Sequence, residues 1–126
     1  MSISTNALLW VAQWFLALAF LGAGAFKLVG YDAYARMVTK QGSVPLSRAF
    51  AGFVGAAEIA GAAGVVLPMA LNVVPSLSPW AALGLATVML LACGYHLRER
   101  SPAYAPIILL FVAAFVAYGR FGGGIS

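Results

Sequence analysis

The chain has 126 residues, of which 63% are hydrophobic and 8% charged, with a formal net charge of +4 and a mean hydropathy of +0.98. A soluble domain carries roughly 25% charged residues, so this chain lacks the polar surface that water requires, and lipid is the solvent that fits it. Its Lys and Arg residues are spread between apolar runs rather than gathered on one face, which argues against a nucleic-acid footprint. A single cysteine excludes an intrachain disulfide, a Cys-x-x-Cys redox pair and a cysteine-built zinc site.

The first apolar run, about 6–28, approaches the roughly 20 residues a helix needs to cross the hydrocarbon layer. Ala23-Gly24-Ala25 looks like a signal-peptide cleavage site. The start lacks Lys and Arg, however, and the run is longer than a signal core, so a retained helix is expected. Gln13, beside Trp10 and Trp14, reads as an interfacial residue or a helix staple. Lys27 closes the run 14 residues later on roughly the same face. Snorkelling to the membrane surface is the favoured reading of Lys27, with an inward reach toward Glu58 as the alternative.

The loop that follows suggests a short helix at the headgroup level, capped by Asp32 and running to Lys40. Tyr31, Tyr34 and Met37 would line one side, with Arg36 and Lys40 elsewhere. A second spanning helix is expected over about 45–67, after Ser43-Val44-Pro45 and ending near Pro68. Gly52, Ala56, Ala60 and Gly64 recur there every fourth residue, beside Gly55 and Gly61. Helices in lipid associate through close backbone approach and interhelical hydrogen bonds. That repeat therefore makes the second helix the candidate centre of the bundle, approached by Gly22 and Gly24 of the first.

Glu58 is the most informative residue. It lies about 15 Å along the helix from either end, near mid-membrane, where a charge costs roughly 2.5–3.5 kcal/mol on insertion scales. Dehydration there favours the neutral acid, which donates a hydrogen bond. Two readings stand: a proton-handling or ligand-orienting carboxyl, or a protonated glutamate that staples two helices. The functional reading is favoured because ionisable groups inside membranes default to function.

Ser78-Pro79 opens a third helix, about 79–97, and Ser101-Pro102 a fourth, about 102–119. The third offers Ala82, Ala86 and Gly94 for packing and ends in Tyr95 and His96. Cys93 reads as a small packed residue; it shares a face with His96, but two potential ligands make no metal site. His96 is a helix-end cation, a hydrogen-bond partner or a proton relay. In the fourth helix, Phe111, Phe115 and Tyr118 follow helical spacing. They suit packing or an aromatic wall for a flat apolar ligand, and Tyr118 and Arg120 also suit the far interface. The connection at 69–78 carries no basic residue, whereas the other two hold six between them. By the positive-inside rule, loops 27–48 and 96–104 face the cytoplasm and both termini the opposite side of the cell membrane, with Arg120 dissenting. The expected architecture is all-α: one transmembrane domain, 1–126, folded as a four-helix bundle.

Four pieces look familiar in order and spacing. They are Gly24-Ala25-Phe26-Lys27-Leu28, Gly55-Ala56-Ala57-Glu58-Ile59-Ala60-Gly61 leading to Leu67-Pro68, His96-Leu97-Arg98, and Phe115-Val116-Ala117-Tyr118-Gly119-Arg120-Phe121. Together they resemble the DoxX-like family of small four-helix membrane proteins over nearly the whole chain. That resemblance implies a membrane subunit of a redox or stress-defence system that interacts with quinone. The family takes its name from a subunit linked to thiosulfate oxidation with quinone as acceptor. More distant relatives look like assembly factors or cargo receptors. No established catalytic residues carry over, so Glu58, Lys27, His96, Gln13 and Tyr118 stand as ligand-binding or proton-handling candidates without assigned roles. No intrinsic cofactor or metal is expected. The implied partners are the lipid bilayer, a membrane or peripheral oxidoreductase and further copies of the chain. The alternatives are an assembly factor or anchor for other membrane proteins, and a binder or carrier of a small lipophilic molecule.

Overall fold

The computed structural model describes residues 3–42, 44–98 and 104–122. It contains α1 (Ile3–Val29), α2 (Tyr31–Lys40), α3 (Arg48–Ala70), α4 (Leu77–Arg98) and α5 (Tyr104–Gly122). All but α2 are long and apolar enough to cross a membrane. The four pack as a ring in which α1 touches α3, α3 touches α4, α4 touches α5 and α5 returns to α1. The all-α bundle expected from the sequence is therefore present, and α3 packs most extensively, between α1 and α4, in a ring that has no central helix.

Each long helix turns one narrow stripe inward. On α1 the buried stripe is Leu9, Gln13, Leu16, Phe20 and Gly24, and on α5 it is Ala113, Val116, Ala117 and Arg120. Spacings of three and four residues set these stripes. Leu16, Phe20, Val65, Leu85, Met89 and Val116 form the core. The outer faces carry Val11, Leu18, Phe53, Leu90 and Phe111 in the open, an apolar surface of the kind lipid covers.

The expected small-residue line on α3 holds only at its glycines: a Cβ on Gly64 would sit 2.9 Å from Ala81 and one on Gly52 3.6 Å from Leu28. Ala56 and Ala60 are exposed, while the buried stripe is Ala51, Gly55, Glu58, Ala62 and Val65. The closest approaches use the flanking glycines Gly55 and Gly61. A Cβ on Gly24 would sit 2.5 Å from the Gly55 carbonyl oxygen, and one on Gly61 would sit 2.5 Å from Leu85. Gly22 has nothing within 4 Å and makes no such contact. A four-residue repeat drifts around a 3.6-residue helix, so the repeat leaves the interface that Gly55 and Glu58 hold.

Several helix ends also shift. α3 begins at Arg48 rather than near Pro45, because Ser47 is the cap: its hydroxyl accepts from Phe50 N at 3.2 Å. Pro68 lies inside α3, which continues to Ala70. α4 begins at Leu77, ahead of Ser78, whose hydroxyl makes no capping bond. The Ser43 and Ser101-Pro102 signals fall outside the described residues. The short helix α2 forms, but its N-cap position is Gly30 and not Asp32. It buries Tyr34 and Val38 and leaves Met37 exposed. Phe111 and Phe115, expected chiefly to pack, face outward beside α1. With Leu8, Val11, Ala12, Phe15 and Val112 they line an open apolar groove of about 420 Å³.

Candidate functional site

Lys27 and Glu58 meet. The Lys27 ammonium donates to Glu58 Oε1 at 2.7 Å, with 19% and 2% of the two side chains exposed. Lys27 thus takes the inward reach, and the carboxyl accepts a hydrogen bond where donation was expected.

The local sequence explains the meeting. Gly24 lies one turn before Lys27, and Gly55 one turn before Glu58, so each helix places a glycine and a charge on one face. The two glycines let the backbones touch, and α1 and α3 run antiparallel. The Lys27 stem starts beside Gly55, where a Cβ would lie 3.3 Å from Lys27 Cβ, and runs along the bare backbone to Glu58. Each charge offsets the dehydration of the other, the condition for holding either one inside a bundle.

Tyr34 in α2 and His96 near the end of α4 lie toward the same end of the bundle as Lys27. Burial holds the Tyr34 phenol above its ordinary 10.0, with smaller additions from Tyr31 and Glu58 against an opposing backbone hydrogen bond from Leu46. Three tyrosines clamp the segment before α3. Tyr31 donates to the Leu46 carbonyl at 2.6 Å, Tyr34 accepts from Leu46 N at 3.4 Å, and Tyr95 donates to the Val44 carbonyl. Phe26 packs edge-on to Tyr34 at 6.3 Å. α2 and its following segment thus close over the loop end of the α1–α3 interface.

The other candidates lie apart from this pair. Gln13 is fully buried near the opposite end, where its amide donates to the Val65 carbonyl at 2.7 Å and to Met69 Sδ at 3.5 Å. It acts as a helix staple. Its oxygen accepts from Arg120 Nε at 2.8 Å, and Arg120 Nη1 donates to Asn6 Oδ1, also at 2.8 Å. Arg120, expected at an interface, is 1% exposed. Its signal was present in the sequence: it continues the inward spacing of Ala113, Val116 and Ala117. Tyr118, two residues earlier, is 82% exposed and faces outward. Among the described residues, no three His, Cys, Asp or Glu side chains come together, so Cys93 and His96 gain no third ligand there.

The DoxX-like family profile matches residues 11–118, a span that contains Lys27, Glu58, His96 and all four long helices in whole or large part. The chain belongs to the DoxX-like family. Neither a curated protein nor a solved structure matches it. With four spans and this family, the DoxX-like chain is a multi-pass integral membrane protein.

Proposed function

We propose that this DoxX-like protein is a membrane subunit of a redox or stress-defence system that interacts with quinone, and that Lys27–Glu58 is its proton-handling element. The buried pair is the observation that carries this reading. A quinone undergoing two-electron reduction takes up two protons, and a carboxylate–ammonium pair in a low-dielectric interior is a positioned source of one. In this reading His96 and Tyr34, at the loop end of the bundle, replace that proton from loops 27–48 and 96–104, which the positive-inside rule assigns to the cytoplasm. The electrons come from a partner oxidoreductase, so the contribution of this chain is position and protons.

The test is purification from native membranes in mild detergent, followed by quinone-binding and turnover measurements on wild type and Glu58→Gln. The substitution keeps an acceptor for Lys27 and leaves the bundle folded, so binding or turnover should fall while helicity holds. Unchanged quinone affinity in that variant refutes the assignment.

One observation favours a second reading, an assembly factor or anchor. The outward face of α3 presents Ala56, Ala57, Ala60 and Ala63, a surface against which another spanning helix can pack closely. Under this reading Ala56→Leu and Ala60→Leu abolish capture of a membrane partner without altering the bundle, and Glu58→Gln leaves capture intact.

A further inference from the structure

Arg120 has the opposite problem from Glu58: it is buried, and its described partners are all neutral. Its five N–H donors stay charged at any accessible pH. Gln13 and Asn6 accept one bond each at 2.8 Å, the Trp10 ring lies 5.5 Å from the guanidinium carbon, and Nη2 has no partner among the described residues. The two ion pairs found among the described residues, Lys27–Glu58 and Arg48–Asp32, both lie toward the other end of the bundle. Asn6 and Gln13 therefore orient the guanidinium without neutralising it. Gln13 has little freedom to do otherwise, because its amide nitrogen is engaged with Val65 and Met69.

A second unmatched group sits at the same end. Ser78, the second residue of α4, is fully buried, and its hydroxyl has no hydrogen-bond partner among the described residues. The Trp80 ring packs edge-on to Phe121 at 5.1 Å, which holds the start of α4 against the end of α5. Arg120 is two residues from the end of α5, at the depth where the span gives way to headgroups.

We propose that Arg120, oriented by Asn6 and Gln13 and assisted by Ser78, binds one oxyanion of the phosphate class at this end of the bundle. Nη1 spends one proton on Asn6, which leaves its second proton and those of Nη2 to donate to two oxygens, a geometry that phosphate matches. A phospholipid headgroup and free phosphate share this chemistry.

The test uses the full chain, delipidated in a phosphate-free maltoside detergent and titrated separately with phosphatidylglycerol and with inorganic phosphate. Native mass spectrometry gives stoichiometry, and melting temperature gives stabilisation. The expected result is one phosphatidylglycerol per chain with a raised melting temperature. Arg120→Lys keeps the charge but loses the fork, and should bind about tenfold more weakly. Ser78→Ala should show a smaller loss. Stabilisation by inorganic phosphate alone would support the site and identify its ligand as a soluble anion. No one-to-one binding of either ligand to wild type overturns the proposal, as does equal binding by Arg120→Lys. Should Arg120→Lys fail to fold, the wild-type titration and Ser78→Ala decide the matter in the same way.

Discussion

Removing one partner of the Lys27–Glu58 pair should be far worse than removing both. At 2.7 Å the attraction is about 6 kcal/mol for an effective dielectric of about 20, and dehydration of the two ions takes back much of it. Lys27→Met leaves a carboxyl that is almost wholly buried and has lost its ammonium, and Glu58→Met leaves the converse. Each single change should destabilise the bundle by about 3–5 kcal/mol. The double change Lys27→Met/Glu58→Met exchanges the pair for apolar side chains of similar length and should lie within about 2 kcal/mol of wild type. The coupling energy of the cycle is then well above about 2 kcal/mol. Equilibrium unfolding in mixed dodecyl maltoside and dodecyl sulfate micelles, followed by helical circular dichroism, measures all four proteins. Single changes that sum to the double change would refute the coupling and with it the account of how Glu58 is held. The stable double variant also separates fold from function, because a proton-handling role predicts that it is folded and inactive.

Gly24→Ala places a methyl group 2.5 Å from the Gly55 carbonyl oxygen, short of the 3.4 Å at which ordinary contact begins. The strain, about 1–3 kcal/mol, should outweigh the roughly 1 kcal/mol gained in helix propensity; Gly22→Ala, with open space around it, should be neutral or stabilising in the same unfolding assay. Tyr34 is held above its unfolded value of 10.0, so its contribution to docking α2 is complete below pH 10.0 and is lost as pH rises through the folded value. Alkaline titration of tyrosinate absorbance should show one late phenol that disappears in Tyr34→Phe. Ser47→Ala removes the α3 cap, an exposed bond of 3.2 Å, and should cost about 0.5–1 kcal/mol. Asp32→Ala should cost under about 0.5 kcal/mol, because the Asp32–Arg48 pair is 76% and 71% exposed and water screens it. In a Cys93→Ala background, Arg36→Cys should react with an impermeant maleimide only from the cytoplasmic side; labelling from outside would reverse the orientation assigned by loop charge.

The bundle was legible because lipid simplifies the code. Four apolar runs of spanning length have few ways to satisfy their backbone groups other than as helices. Glu58 was legible for a related reason, since a carboxyl in the middle of such a run stands out by its dehydration cost. The direction of Lys27 was not, because its long stem serves snorkelling and inward pairing equally well until the partner helix is placed. Deciding between them required the Gly24–Gly55 approach, which depends on the register of two segments about 30 residues apart. The small-residue line on α3 was half right, with Gly64 against Ala81 but Ala56 and Ala60 facing outward, because small residues record only the absence of bulk. A lipid-facing surface tolerates small side chains as readily as an interface requires them. Arg120 was passed over for its nearness to a helix end, where arginines commonly reach water. Its step of three and four residues from Ala113, Val116 and Ala117 was the better guide.

The two polar sites have a common origin in α1, which supplies Gln13 to one and Lys27 to the other. These residues are 14 apart on one face, a separation of about 21 Å along the axis. Between them α1 meets its neighbours through Leu16, Phe20 and Gly24, side chains that pack but do little to fix register, because sliding one apolar helix along another in lipid exposes nothing to water. Polar contacts do fix it. A slip of one residue would rotate Glu58 by about 100° away from Lys27. It would also carry the Val65 carbonyl away from the Gln13 amide. Each error leaves an unmatched polar group in hydrocarbon. The register of α1 on α3 is therefore held at two widely spaced points, and the glycine contact lies nearer one of them. Only at the Lys27–Glu58 end do the described side chains balance their charges. At the Gln13–Arg120 end the helices are pinned by neutral partners, so the described side chains fix register there without balancing the guanidinium charge.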